Sequence, residues 1–455
     1  MQVREQLTLT GHLARFVSDL RYEDLPAAVV QRAKSALLDT LGAALGGVGT
    51  VEGDRALAAM QDCAPGDMAS CWGMRTRSTV PGAALINGTL AHARELDDYG
   101  GCGHSGAVVI PAAIAVGEHH GIPGKTLLAS VVAGYDVAAR VMDAAGTYRL
   151  HNARGWHSTG TVGSFGSAAA AARALGLDAA ATAHAIGIAG SFTGGLWAFI
   201  ADGAMTKRLH AGKAAENGVL AAYLARHGFT GPAEILEASW GGFLSTYVPG
   251  LTPPRSRHSG QTHGIMRSGI KPFACCAGIH APLGALLDLA AEHGLRAEQV
   301  ARITVRGTAQ AVRQLGKQRV ETTLDAHMSL PHSFAVALLT GRVSLAEYDD
   351  RVLVDPAVRE LALRVELVED LSFEDETPKV VEVETVDGRR YIGAHRFAKG
   401  HAGNPLSAEE IDAKFASLAS PVLGQAAAQR VRTIIGRLER EPSLAPLLVA
   451  LTPVG

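Results

Sequence analysis

The sequence has few cysteines, few aromatic residues and little net charge. Its five cysteines are odd in number and lack the paired spacing of metal ligands, so we expect reduced thiols rather than a disulfide framework. The net charge of −2 gives no general affinity for nucleic acid or for an anionic membrane surface. Aromatic residues make up only 5% of the chain. Abundant Ala and Gly therefore favour helices that pack closely.

Long apolar runs are also missing. No uninterrupted apolar segment approaches the length of a membrane span, and the first 20 residues carry charges where a secretory signal would be apolar. We therefore expect a cytoplasmic protein. With 455 residues, 47% of them hydrophobic, the chain can bury a large core and is long enough for two or more domains.

Two kinds of periodicity divide the chain. Helical spacing dominates up to about residue 250 and predicts helices near 26–46, 125–145, 163–175, 178–189 and 213–227. Residues 251–260 break this pattern and predict a domain boundary near residue 260. Residues 301–307 then alternate with period two, and residues 380–392 predict a hairpin that turns at Asp387-Gly388. With helices around 281–293 and 333–339, this part predicts a smaller α+β domain. A capping box at Ser407 and Glu410 predicts a further helix to about residue 418.

One helix concentrates positive charge. It opens at Thr206 and carries Lys207, Arg208, His210 and Lys213 among small residues. Free backbone amides at a helix start add to the attraction of these side chains for an anion. The segment therefore predicts a carboxylate or phosphate site. The alternative is that Lys207 and Arg208 only solvate the end of the helix.

Three other segments combine glycine with titratable residues. They are residues 95–106 (ELDDYGGCGHSG), 155–161 (GWHSTGT) and 268–276 (SGIKPFACC). With residues 207–213, and in the same order over nearly the whole chain, they resemble the 2-methylcitrate dehydratase family, also called the MmgE/PrpD family. That family also includes cis-aconitate decarboxylase and iminodisuccinate epimerase. The resemblance implies a mainly α fold in which a large all-helical domain accompanies an inserted, lid-like α+β domain. It also implies a homodimer.

The resemblance further implies domain limits and site residues. Residues 1–260 and the returning segment 401–455 would form the helical domain, and residues 261–400 the α+β domain. The positions that match catalytic residues of the family are His104, His157, Lys207 and Lys271. The substrate-binding candidates are Asp98, Tyr99, Arg208 and His210. Asp98 would orient His104 or accept a substrate hydroxyl, whereas Asp97 is equally suited to capping the loop.

The chemistry of a polycarboxylate explains this residue set. Removal of a proton next to a carboxylate creates a dianionic, enolate-like species, so the site needs fixed positive charge and a base with a pKa near neutrality. His104 and His157 each precede a helix, whose start lowers the pKa of an imidazole and keeps it neutral. We expect dehydration of a 2-hydroxy acid first and epimerisation as the close alternative. Decarboxylation is third, because a tyrosine of some decarboxylating members has no counterpart near Gln318.

Two other possible motifs, for dinucleotide binding and for metal binding, lack the neighbouring features that they require. Gly160, Gly163 and Gly166 have a dinucleotide-like spacing, but no strand precedes them. The His119-His120 and His327/His332 pairs lack the H-E-x-x-H arrangement, so neither a metal nor another cofactor is expected. A non-catalytic helical binding protein with the same fold is the alternative from another class.

Overall fold

The computed structural model of the protein describes residues 8–251, 262–372 and 380–453. The predicted boundary near residue 260 lies outside these ranges. The first part is helical, as predicted, apart from the short antiparallel pair β1 (Ala69–Ser70) and β2 (Arg77–Ser78). Its helices, α1 to α12 in order, are Leu9–Asp19, Ala27–Gly46, Val51–Cys63, Val80–His92, Ser105–His120, Gly124–Ala144, Thr147–Asn152, Ser158–Thr161, Gly163–Leu175, Ala179–Ser191, Thr206–Arg226 and Phe243–Tyr247.

Local sequence accounts for several of these helix ends. Threonine hydroxyls accept hydrogen bonds from the first turns of α1, α3 and α4, where Thr8, Thr50 and Thr79 are the N-caps. Gly121 and Gly176 follow α5 and α9 in the left-handed conformation that glycine adopts without strain. The chain therefore carries its own start or stop signals for these helices.

Glycine brings the two helices that bear site residues into close contact. A Cβ on Gly212 of α11 would lie 2.2 Å from the carbonyl oxygen of Leu85 in α4, and one on Gly88 of α4 would lie 2.8 Å from Cα of Gly212. Larger residues at these positions would push the helices apart. This approach places the start of α11, with Lys207, beside the end of α4 at His92.

The second part combines helices with a four-stranded sheet. The sheet order is β4-β3-β5-β6, in which β3 pairs with β4 in parallel and the other neighbours are antiparallel. The predicted hairpin is confirmed, with Gly388 in its turn at a φ of 84°. The strands β3 to β6 are Val300–Gly307, Val365–Glu369, Val380–Thr385 and Arg390–Ala394. The helices α13 to α18 are Ala277–His293, Ala309–Leu315, Thr323–His327, Leu330–Thr340, Asp350–Leu353 and Pro356–Ala362.

The last helices return to the first part of the chain. They are α19 (Ala408–Leu423), α20 (Gln425–Gly436) and α21 (Ala445–Ala450), and their apolar residues belong to the same buried cluster as those of α2. The capping box at Ser407 and Glu410 is confirmed. Lys414 of α19 binds Asp39 of α2 at 2.5 Å. The fold is therefore mainly α with a smaller α+β part, while the residue limits of the two domains stay a prediction.

No helix within the described ranges is both long and apolar enough to cross a membrane.

Candidate active site

The loop between α4 and α5 carries the largest group of candidate residues. Gly100 and Gly103 exchange two backbone hydrogen bonds of 3.0 Å, with φ values of 113° and 116° that side chains rarely allow. This tight turn returns the chain so that His104, at the start of α5, lies next to Asp97. The two glycines are therefore needed to form this turn. The sequence pattern alone did not show that requirement.

The Asp97 carboxylate contacts the Nδ1 atoms of two histidines, His92 and His104. Its carboxylate lies 3.0 Å from Nδ1 of His104 and 3.0 Å from Nδ1 of His92. Burial alone would raise the pKa of Asp97, but His92, His104 and Lys271 lower it well below its usual value. An ionised carboxylate accepts hydrogen bonds, so both Nδ1 atoms carry a proton, and the lone pair of each ring in its neutral form lies on Nε2.

Three cationic side chains surround one buried glutamate. Glu95 accepts hydrogen bonds from Lys207 and Arg208, and its second oxygen lies 3.0 Å from Nζ of Lys271. The four side chains are at most 2% exposed. Glu95 also has a φ of 51°, which is uncommon for a residue with a side chain. Lys271 donates a second hydrogen bond to the Glu95 carbonyl, which helps to hold this backbone.

This arrangement differs from the lysine clamp that the sequence predicts. Lys207 and Lys271 do converge, but on Glu95, so an internal carboxylate occupies the position expected for an anionic ligand. Burial, followed by Arg208 and Lys271, lowers the pKa of Lys207 well below its ordinary value. Lys207 is therefore a stronger acid than an exposed lysine. Arg208 also reaches Nδ1 of His327 at 3.0 Å.

The buried His157 and the half-buried His210 form a pair near His104, whose ring centroid is 6.4 Å from that of His157. Their Nδ1 atoms are 2.9 Å apart, and the edges of Trp197 and Phe199 pack against His157. Burial lowers the pKa of His157 well below the usual value, and the nearby His210 lowers it further. Burial also lowers the pKa of His210 to about 4. Both rings are therefore neutral near pH 7, and for His157 the main cause is burial rather than the helix start that the sequence suggested.

The Asp98 side chain binds groups other than His104. The Asp98 carboxylate accepts hydrogen bonds from the Tyr135 hydroxyl at 2.6 Å and the Gly106 amide at 2.7 Å. The prediction that Asp98 orients His104 through its side chain is corrected, because only the Asp98 backbone carbonyl approaches that ring, at 3.1 Å. Burial raises the pKa of Asp98 to about 6 and that of Tyr99 to about 12.

A cavity of about 820 Å³ opens next to these groups. It lies between helices α6 and α7 of the first part and α13 and α14 of the second. Of the predicted site residues, Tyr99 and His104 line it, and the two lysines do not. His104 is thus the titratable candidate that a ligand in the cavity touches directly.

The three histidines also form the arrangement that a metal ion would use. Nitrogen atoms of His92, His104 and His157 all lie within 4.8 Å of one another. Three imidazoles bind zinc in some enzymes, often with a carboxylate behind them, as Asp97 lies behind two of these. However, Nζ of Lys207 is 3.2 Å from Nε2 of His92, so a cationic lysine competes for that lone pair. We therefore still expect catalysis without a metal.

Chelation tests this expectation. Prolonged incubation with EDTA and dipicolinate, followed by buffer exchange, should leave turnover unchanged, and elemental analysis should find less than stoichiometric metal. Activity that falls and returns with Zn²⁺, Fe²⁺ or Mg²⁺ would contradict it.

The sequence matches known protein domains on both sides of the predicted boundary. Residues 11–255 match the MmgE/PrpD N-terminal domain, and residues 273–440 match the MmgE/PrpD C-terminal domain. The chain belongs to the MmgE/PrpD family. This confirms the family that the four segments indicated.

Several relatives align over almost their whole length. The cis-aconitate decarboxylase-like protein oryM of Aspergillus oryzae is 30% identical over 98% of this chain and 97% of its own. The human cis-aconitate decarboxylase is 28% identical over 95% of this chain and 92% of its own. A 2-methylcitrate dehydratase from Cupriavidus necator is 29% identical over 35% of this chain and 34% of its own.

Four residues near the site were not predicted to act there. Asp97 was considered only as a loop cap, His327 only as half of a metal pair, and His92 and Glu95 received no role. His332, the other half of that pair, lies instead 3.3 Å from the Glu347 carbonyl. The useful signal was Glu95 itself, an acidic residue in a loop expected to bind anions. Nothing in the sequence around His327 points to Arg208.

Proposed function

We propose that this MmgE/PrpD protein is a lyase that transfers a proton at the carbon next to a carboxylate of a small di- or tricarboxylate. The observation that carries the proposal is His104. Asp97 holds its Nδ1, which leaves a basic Nε2, and its ring lines the cavity. Asp97 therefore acts as the positioning residue for this base, much as a buried carboxylate orients the histidine of a hydrolase triad.

The charges behind His104 support a substrate that becomes more negative during the reaction. Lys207, Arg208 and Lys271 contribute three positive charges when protonated, against the negative charges of Glu95 and Asp97. The cluster thus has one positive charge in excess in a buried setting, where charge interactions are stronger than in water. Lys207, with its lowered pKa, is also suited to return a proton to a leaving group.

Dehydration, epimerisation and decarboxylation are the three candidate reactions. Dehydration comes first because a leaving hydroxide needs a general acid, and Lys207, a stronger acid than an exposed lysine, lies 3.2 Å from Nε2 of His92 in the same cluster as His104. His157, which is neutral near pH 7, is the second candidate base. Decarboxylation has its own support, since the relatives named cis-aconitate decarboxylase align over nearly the full chain. Against it, Gln318 binds the Leu363 and Val365 carbonyls beside β4 and so does not replace a pocket tyrosine.

A substrate panel separates these reactions. Citrate-type 2-hydroxy acids, cis-aconitate-type acids and four-carbon dicarboxylates would each be incubated with the protein and followed by proton NMR and by CO₂ release. We expect a new alkene without CO₂ from a hydroxy acid. CO₂ release from an unsaturated acid would select decarboxylation, and inversion alone would select an epimerase. If every acid is bound but none converted, the helical binding protein is the correct alternative.

Lys271 should matter for turnover. We expect Lys271→Ala to lose about 2–5 kcal/mol of transition-state stabilisation, because one of the buried positive charges behind His104 is removed. The measurement is kcat/KM, with circular dichroism as the check on folding. Lys399→Ala is the matched control, since Lys399 binds Glu410 at the surface at 2.9 Å. Unchanged turnover in a folded Lys271→Ala protein would remove this lysine from the mechanism.

The homodimer and the cytoplasmic location remain predictions. Size-exclusion chromatography with light scattering tests the first directly.

A further inference from the structure

The cavity beside His104 needs positive groups for the carboxylates of the substrate that do not react. Lys207 and Lys271 do not line this cavity, and both bind Glu95 instead. A carboxylate that leaves water without a positive partner or hydrogen-bond donors loses its hydration, which costs free energy. Other residues of the cavity lining must therefore bind the remaining carboxylates.

Two arginines bring positive charge to the cavity from the two parts of the chain. Arg149 belongs to α7 of the helical part, and Arg396 follows β6 of the α+β part. Both line the cavity and are exposed, so a ligand can reach them. Among the described residues, no carboxylate forms an ion pair with either arginine. Asp143, an acidic residue of the same lining, is already bound by Arg267 at 2.7 Å.

The backbone before Arg149 has an unusual conformation that directs a run of residues to the cavity. Gly146 and Thr147 have φ values of 78° and 68°, and a positive φ is a costly outlier for the β-branched threonine. Residues 147–150 all line the cavity. Backbone strain of this kind is concentrated at ligand and catalytic sites, where the surrounding structure maintains it. The turn is therefore a second indication that this segment binds a ligand.

A series of aromatic contacts links Arg396 to the loop that carries His104. The guanidinium carbon of Arg396 lies 5.2 Å from the centre of the Phe397 ring, and the rings of Phe397 and His401 are stacked with their centroids 4.6 Å apart. The His401 ring is 6.3 Å from that of Tyr99 in the site loop. Because a cation is attracted to the face of an aromatic ring, Phe397 favours one position of the flexible arginine side chain.

We propose that Arg149 and Arg396 bind the carboxylates of the substrate that lie away from the reacting carbon, while His104 acts at that carbon. This inference rests on the proposed function for the reaction at His104. A guanidinium group suits the role because its parallel N–H donors match the two oxygens of a carboxylate. Since the two arginines belong to different parts of the chain, a bound polycarboxylate would connect the helical part with the α+β part.

Calorimetry with acids that lack a leaving hydroxyl tests the arginines without turnover. Tricarballylate has three carboxylates, whereas butyrate has only one. We expect Arg149→Gln and Arg396→Gln each to weaken tricarballylate binding by about tenfold, the usual worth of a hydrogen bond to a charged group, and to leave the weaker binding of butyrate unchanged. A parent protein that does not prefer tricarballylate, or two folded variants that bind it like the parent, would overturn the proposal.

A neighbouring arginine and a conservative variant serve as controls. Arg313→Gln changes an exposed residue of α14 that does not line the cavity, and it should bind tricarballylate like the parent. Arg149→Lys keeps the charge and should retain part of the affinity that Arg149→Gln loses. Equal losses in Arg313→Gln would show that the effect is only one of overall charge, which contradicts a specific site.

Kinetics separate this inference from the proposed function. With a substrate from the panel, both arginine variants should raise KM and change kcat little, because the lost contacts are made before and during the reaction alike. An unchanged KM in both variants would exclude the arginines and leave the reaction at His104 intact. If no acid is converted but tricarballylate binding still depends on both arginines, the proposed function fails and the carboxylate site stands.

Discussion

Replacement of Glu95 by glutamine should destabilise the protein strongly, by about 3–5 kcal/mol, although the two side chains have nearly the same shape. The reason is that Lys207, Arg208 and Lys271 would remain in a buried site without the carboxylate that binds them. Urea unfolding followed by circular dichroism measures the effect. Glu95→Ala should behave similarly and leave a space lined by cations.

That space provides a sharper test than the loss of stability. A small carboxylate such as formate should bind in the Glu95→Ala protein and raise its melting temperature with concentration, while the parent responds little. Glu23→Gln is the matched control, because Glu23 binds Lys125 in an exposed pair at 2.8 Å. We expect this control to unfold like the parent. If Glu95→Gln also does so, and formate has no selective effect, the three cations do not depend on Glu95.

Replacement of His104 by asparagine should lower proton exchange at the substrate by 10²- to 10⁴-fold, the usual range for a lost general base. In deuterated water, the parent should place deuterium at the carbon next to a carboxylate, provided that the abstracted proton exchanges with solvent. Proton NMR of product and recovered substrate measures the incorporation. Asp97→Asn should act in the same direction, because an amide can donate to Nδ1 and so place the imidazole proton on Nε2.

Two further variants are needed to interpret the His104→Asn result. His119→Asn changes an exposed histidine of α5 and should exchange deuterium like the parent. His157→Asn tests the second face of the substrate, since an epimerase could lose inversion and still exchange from one side. If His104→Asn and His157→Asn both convert and label substrate like the parent, these histidines are structural and the proton-transfer roles proposed for them are wrong.

The positions of individual elements were largely predictable. Helices such as Gly163–Leu175 match their predicted limits because glycine and capping residues mark helix ends locally. The β5–β6 hairpin follows in the same way from Asp387-Gly388. The start of α11 at Thr206 also agrees with the sequence. These features depend on neighbours within a few residues, so the local sequence is sufficient to predict them.

The partners of the site residues were not predictable in the same way. Glu95 and Lys271 are 176 positions apart, and Arg208 and His327 are 119 apart. Their contacts depend on how α11, α15, the loop after α4 and the segment before α13 meet, which no local pattern specifies. For that reason the sequence suggested two lysines waiting for an anion, and the structure shows the same lysines bound to Glu95.

The sequence by itself determined the family, the mainly α character and the identity of the charged segments, because each of these depends on local composition and motif spacing. Only the tertiary structure decided which carboxylate faces which cation, that Asp97 rather than the Asp98 side chain holds His104, and that a cavity adjoins that base. Charges act over distances of a few ångströms in space. Residues far apart in the chain therefore acquire their roles only when packing brings them together.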